Sequence, residues 1–569
     1  MTGSAATGSA TTGSATTGSA TTTPPTATRE RAHTTGSASA LAGTGTLVRF
    51  SLRRDRIKLP AWVGGLGLFV VYIGAALPQL APTEEDLAAV VPLFTQPVGR
   101  MFTGPAFGMD APTFERFFAA GYAPYLFLLA ALMNIMLVTR HTRVEEQTGR
   151  AELIRASVTG RHSALTATLI VAGITNALAC VVVAGLAVAG GFAPLGSLLI
   201  GLGTALTGMA FAGISAVTAQ LSAYSRAAAG MAGLVLGVSF ILRALGDMAA
   251  VGGTALSWAS PLGWAAQTAP YVYDRWWPLL PLVVVAVVGA AAAYVLQSRR
   301  DFGASLLAPR PGPAHAGRFL GQPVGLAARL QRGALLGWGA AIVVLGTVNG
   351  AFTDAMLSAS QDMPQAMQDM FGAQGLVNGY VSFLGSFIAV LTAAYVVYAL
   401  QSLWDEEGRG RADLVLATPV SRVSWAGAHL DVVAVGAALI LLVTGVFTAL
   451  AAVGVTGDGS LAGGVIGAHL GTIPAVLVVL GVCAVLYGWA PRLTAPVGWA
   501  VVVLMFLVTN FADLLDLPGW LRSLSPLHHL AAVPVEEFAV VPFLLVTVLA
   551  GFLVAVGLVG FRRRQVAAV

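Results

Sequence analysis

Glu145-Glu146-Gln147-Thr148-Gly149-Arg150-Ala151-Glu152-Leu153 follows a long apolar run, and 261 residues later Glu406-Glu407-Gly408-Arg409-Gly410-Arg411-Ala412-Asp413-Leu414 follows another. Carried through to Ser163 and Ser424, the two stretches agree at nine of nineteen positions, where composition alone would match roughly two. This is an internal duplication. A chain that keeps the same charged, helix-forming segment in both halves is most simply docking two copies of one partner.

The surroundings of these stretches place the chain in a bilayer. With 56% hydrophobic and 10% charged residues in a chain of 569, there is too little polar surface to coat a soluble globule of this size. Apolar runs of about 20 residues, enough to cross a hydrocarbon core of about 30 Å, lie near 61–80, 120–139, 165–187, 196–221, 228–247 and 278–297, then 334–352, 379–400, 430–453, 462–486, 496–515 and 541–561. The expected fold is an all-α polytopic membrane protein of about twelve transmembrane helices. Six spans is an even number, so the halves form two parallel six-helix repeats related by an axis along the membrane normal.

Basic residues near span ends stay cytoplasmic, which sets the orientation. With the N-terminus inside, Arg53, Arg54, Arg56, Lys58, Arg299, Arg300, Arg562, Arg563 and Arg564 fall inside, while Arg100, Arg116, Arg275 and Arg522 fall outside. Both termini are therefore expected in the cytoplasm. The net charge of +5 reads as a topology signal, so no nucleic-acid partner is implied.

Four segments follow. Residues 1–46, with TGSAT repeats and a Thr/Ser/Ala/Gly bias, cannot bury a core and are expected to be a disordered cytoplasmic tail. Residues 47–300 are the first six-span repeat, 301–324 a cytoplasmic linker and 325–569 the second repeat. Leu47-Val48-Arg49-Phe50-Ser51-Leu52-Arg53-Arg54 mixes apolar and basic residues at helical spacing and predicts a short helix on the inner membrane surface. Arg329, Arg332, Leu335 and Trp338 match Arg53, Arg56, Leu59 and Trp62 at an offset of 276. The excess over 261 puts 15 extra residues in the first half's outer loop, where length changes are tolerated. Ser260-Pro261-Leu262 likewise returns as Ser525-Pro526-Leu527.

Lys58 is the only lysine. It follows Ile57, so the Gly-Lys-Ser/Thr of a phosphate-binding loop is missing and ATP hydrolysis by that chemistry is excluded. The chain is expected to be a non-enzyme with no cofactor of its own, any ATP being bound by a separate subunit. Cys180 and Cys483 both sit in spans and read as packing residues. No secretory signal peptide is expected, because the first apolar run starts near residue 61 and is span-length.

In each duplicated stretch, acidic and basic residues alternate around a few apolar positions, giving a short amphipathic helix. Gly149 and Gly410 flank its start, and Thr418-Pro419 ends the second copy. A solvated topology loop would need neither the carboxylates nor the apolar positions in register. The candidate docking residues are Glu145, Glu146, Gly149, Arg150, Glu152 and Leu153, with Glu406, Glu407, Gly410, Arg411, Asp413 and Leu414.

Acidic residues followed by Gly-Arg-Ala-Asp-Leu-Val-Leu-Ala-Thr-Pro-Val-Ser-Arg at 410–422 resemble the signature of ABC exporter permeases of the drug- and polysaccharide-export type. Ser-Pro-Leu-Gly-Trp at 260–264, Asp274-Arg275-Trp276-Trp277-Pro278 and Arg-Arg-Asp at 299–301 resemble the double-length actinobacterial form described as exporting polyketide antibiotics. The resemblance spans about 47–569. It implies a fused permease that engages two copies of a cytoplasmic ABC ATP-binding subunit through the segment after span two, and moves hydrophobic or amphiphilic compounds outward. The first copy departs from the pattern, with Ser157-Val158-Thr159-Gly160 where the second has Thr418-Pro419-Val420-Ser421.

The alternative is an ion-gradient-driven efflux carrier of major-facilitator type, which also has twelve spans and a repeated acidic Gly-Arg loop. Such carriers usually place carboxylates mid-span, whereas Asp247, Asp431, Asp513 and Asp516 fall at or near span ends. Arg243 and Asp247, one turn apart, read as a structural pair, with a relay as the other reading. Met356, Met363, Met367 and Met370, with Asp354, Asp362 and Asp369, read as an outer amphipathic helix. His528-His529 is a poor metal site without spaced partners. Tyr271, Tyr273, Trp276 and Trp277 read as an aromatic belt. A membrane-embedded transferase would need acidic motifs and large outer loops that the sequence lacks.

Overall fold

The computed structural model describes residues 40–564 apart from 81–85, 88–90, 92–93, 157–158, 302, 308–313, 316, 355–356, 358–372, 409 and 513–516. Most of the tail, the outer methionines Met356, Met363, Met367 and Met370 with Asp362 and Asp369, and Asp513 and Asp516 thus lie outside the described residues. Among the described residues twelve helices are long and apolar enough to cross a bilayer. In order they are Lys58–Pro78, Ala123–Gln147, Ser163–Ala189, Pro194–Leu221, Ser225–Ala249 and Trp277–Ser298, then Pro323–Ala351, Val377–Gly408, Arg422–Thr456, Leu461–Trp489, Pro491–Asn510 and Val540–Arg563. No strand occurs among the described residues. Helices are what lipid demands, since a spanning segment must satisfy its own backbone amides and carbonyls. The chain is an all-α, multi-pass membrane protein.

The same pairings recur in the two halves. Span one lies on span three and seven on nine, four on six and ten on twelve, while spans two and three pack on four as eight and nine do on ten. In each half the second and fourth spans are the most enclosed. Glycine makes the tightest crossings possible: a Cβ on Gly289 of span six would stand 2.8 Å from the carbonyl carbon of Gly213 in span four, and one on Gly488 of span ten 2.3 Å from the Gly557 oxygen in span twelve. Lipid supplies no hydrophobic drive for helices to associate, so close backbone contact of this kind carries the packing.

The amphipathic segment before span one is a helix, Thr44–Arg54, packed on span three. Its counterpart in the second half is not separate, because Arg329, Arg332, Leu335 and Trp338 lie within the uninterrupted helix Pro323–Ala351. Two differences accompany the break: Pro60, which has no N–H for the Arg56 carbonyl, stands where the second half has Leu336, and Asp55 stands where it has Gln331. Asp55 leaves the helical conformation (φ −98°, ψ 17°), and its buried carboxylate is taken by Arg140 at 2.8 Å and His141 at 2.6 Å. Gln331 stays helical.

At the end of the first half away from the duplicated loops, the short helices Pro97–Thr103, Phe114–Gly121, Ala255–Trp258 and Pro261–Ala266 close over the spans. Arg243 reaches Asp247 at 3.2 Å and the Met101 carbonyl at 2.9 Å, while Ser257 donates to Asp247 at 2.6 Å. Arg100 donates to the carbonyls of Asp247 and Met248. Arg243 and Asp247 thus form a paired structural knot. The aromatic belt needs one correction. Tyr271 is buried and hydrogen-bonds Ser197 at 2.9 Å, and burial pushes its phenol above the usual tyrosine value; Tyr273, Trp276 and Trp277 are exposed.

The extensive helix pairs all lie within one half. Across the halves, Arg226 in the first turn of span five pairs with Asp405 near the end of span eight at 2.6 Å, and Phe102 meets Phe352 edge-on at 6.3 Å.

Candidate functional site

Span two ends at Gln147 and span eight at Gly408. Gly149 and Gly410 then turn the chain through the left-handed region, with φ of 73° and 67°, which glycine enters without the penalty a Cβ brings. Each turn launches a six-residue helix, Arg150–Arg155 in the first half and Arg411–Leu416 in the second. Both loop helices stand on one face of the molecule. Gln147 bonds the Ala223 carbonyl beside Arg226, and Arg226 in turn reaches Asp405.

The second loop helix is amphipathic as expected. Ala412 is buried, and Val415 and Leu416 pack over Leu403, Trp425 and Phe561. Arg411, Asp413 and Leu414 are exposed, Leu414 to 75%. In the first loop helix Arg150 and Glu152 are exposed, and the side chain of Leu153 lies outside the described residues. Position 158, where the first copy departs from the second copy's Pro419, also lies outside them.

The four glutamates do not present free carboxylates to a partner. Glu145 is held by Arg54 and by Arg150 at 3.4 Å, and Glu406 by Arg411 at 2.5 and 2.9 Å. This bond holds the Arg411 guanidinium above its usual pKa. Glu146 accepts from Arg300 at 2.6 and 3.1 Å and from Arg143 at 2.7 Å, and Glu407 from Arg564 at 2.6 and 2.8 Å and from the Tyr487 hydroxyl at 2.8 Å. Carboxylates this enclosed at a span end must be paired, because desolvating a lone charge costs several kcal/mol. In the first half Glu145 and Glu146 also line a cavity of about 430 Å³ beneath the helix Thr44–Arg54.

Residues 45–296 and 320–562 match the model of the family described as multidrug efflux system permease Rv1217c, C-terminal domain. The multidrug efflux system permease protein Rv1217c of Mycobacterium tuberculosis (strain ATCC 25618 / H37Rv) is 36% identical over 535 residues, covering 93% of this chain and 96% of that protein. This chain belongs to that permease family.

In this permease the sequence singled out the loop helices but not what fastens them. Arg564 was visible only as a topology charge, Arg54 as part of the amphipathic segment and Arg300 as part of the Arg-Arg-Asp motif, while Gln220 and Tyr487 carried no signal at all. A pairing offset would have found them: Arg300 and Arg564 each stand just past the last span of their half, as Glu146 and Glu407 each close a second span. Elsewhere His529 bonds the Ser523 carbonyl at 2.8 Å, and both cysteines are free thiols.

Proposed function

We propose that this chain is the membrane-spanning subunit of an ATP-driven ABC exporter, built as two parallel six-span repeats, and that it carries hydrophobic or amphiphilic drug-like compounds out of the bacterial cell. The loop-helix face is the cytoplasmic one, with both termini on it. A separate ATP-binding subunit, in two copies, docks on Arg150–Arg155 and Arg411–Leu416. The observation that carries this reading is the recurrence, on one face, of two glycine-launched loop helices braced by the same ion pairs. Two matched platforms suit a pair of identical motor subunits, which an ion-driven carrier lacks. Family membership supports the drug-efflux direction, and the missing phosphate-binding loop supports a motor on another chain.

Vesicles containing this chain and its ATP-binding subunit test the proposal. Drug accumulation should require ATP and persist when the proton gradient is collapsed. Transport by the chain alone, abolished by an uncoupler, would establish the carrier reading instead.

A further inference from the structure

Beneath each loop helix the same four span ends are drawn together, with one arginine at the centre of the bonds. In the second half, Arg564 follows span twelve. Its guanidinium grips Glu407 at the end of span eight and lies over the ring of Tyr487 at the end of span ten, 5.1 Å from its centroid. Its carbonyl accepts from Arg422 at the start of span nine at 2.7 Å. In the first half, Arg300 follows span six, grips Glu146 at the end of span two with two bonds and donates to Gln220 at the end of span four at 2.7 Å. Arg161, which is 261 residues before Arg422, donates to the Ser298 carbonyl at 2.6 Å. The chemistry of the third partner differs between halves, a glutamine against a tyrosine, but the four connected elements do not.

We propose that Arg300 and Arg564 are positioning residues that couple each loop helix to the spans, carrying its displacement into the fourth and sixth spans of that half. The inference rests on the docking reading above and deepens it. A push on a loop helix reaches the bundle through the end of span two or eight. There these charge-assisted bonds tie it to the fourth and sixth spans of its half, and they are enclosed and therefore costly to break. The helices must then move together. The two halves differ in reserve. Glu146 keeps Arg143 when Arg300 is lost, whereas Arg564 is the one cation bonded to Glu407 among the described residues. Arg564 is accordingly the more sensitive position.

The test uses the full permease with its ATP-binding subunit in vesicles, reading subunit capture, thermal unfolding and drug molecules exported per ATP hydrolysed. R564Q should keep subunit capture and lower the export-to-hydrolysis ratio by about tenfold or more, R300Q by less, and the exchange E407R/R564E should recover much of the ratio. An unchanged ratio in R564Q would overturn the inference. If R564Q fails to fold, the exchange and R564K decide: a folded exchange variant that stays uncoupled overturns the inference, and recovery supports it. Loss of capture that the exchange does not restore would make Arg564 part of the docking face, which also overturns it. If the wild-type chain captures no ATP-binding subunit, the docking reading itself falls.

Discussion

Gln331 donates to the Ser402 hydroxyl at 2.7 Å, and these two positions are the counterparts, by the offsets of 276 and 261, of Asp55 and His141, which meet at 2.6 Å. Neither pair resembles the other chemically. One joins a carboxylate to an imidazole and the other an amide to a hydroxyl, yet each ties the entry of a half's first span to the end of its second. A contact that outlives the replacement of both partners is a property of the backbone arrangement. It supports the two halves as copies of one bundle.

The equivalence is open to exchange. D55N should lower the unfolding temperature in detergent, because Arg140 and His141 lose their carboxylate in an enclosed setting where a one-sided break costs about 3 kcal/mol. The double variant D55Q/H141S, which installs the second half's pair, should regain much of that loss. Equal unfolding temperatures for D55N and the wild type would remove the pair from the account.

The glycine turns make a second prediction. A Cβ at Gly410 would meet nothing within 4 Å, so G410A acts through the backbone alone, at about 1–2 kcal/mol for holding alanine in the left-handed region. The loop helix should settle at a different angle, and capture of the ATP-binding subunit should weaken about fivefold or more. G408A, two residues earlier in ordinary helical backbone, should leave capture unaffected. Equal affinity in both variants would mean that the angle of this helix is irrelevant to docking.

How legible this was depends on what each residue signals alone. The twelve spans were plain, since each needs only about 20 apolar residues in sequence, and the loop helices were plain because two copies could be compared. The partners of the glutamates were hidden. Arg300 lies 154 residues from Glu146 and Arg564 lies 157 from Glu407, and an arginine after a span satisfies the charge rule whether or not it bonds anything. Tyr271 was misread for a similar reason, because a tyrosine near a span end looks the same whether its hydroxyl reaches water or Ser197. The fused helix of span seven could not be foreseen from an offset that aligned its residues correctly but said nothing of Pro60 or Asp55.

Docking itself is tested where the side chains are free. L414D should abolish capture of the ATP-binding subunit while leaving the unfolding temperature unchanged, since Leu414 is exposed and contributes nothing to the packed side of its helix. A412D should lower the unfolding temperature, because Ala412 is buried in the cluster with Trp425 and Phe561. Charge reversal at Glu407 would also report on folding, through Arg564 and Tyr487, and is a poor probe of the interface. Undiminished capture by L414D would move the docking surface elsewhere.

Stoichiometry follows from the duplication and the shared face together. A six-span bundle offers one wall and one loop helix, so permeases of that size must pair to enclose a path. Here both loop helices lie on one face of a single chain, and Arg226–Asp405 already joins the halves near that face. A second permease chain would be redundant, and a third and fourth motor subunit would have no matched platform. Native mass measurement of the detergent-purified complex should therefore give one permease with two ATP-binding subunits. Two permease chains per complex would contradict this. The path would then run between chains, and the recurrence of Glu146–Arg300 as Glu407–Arg564 would reflect a shared scaffold without a shared task.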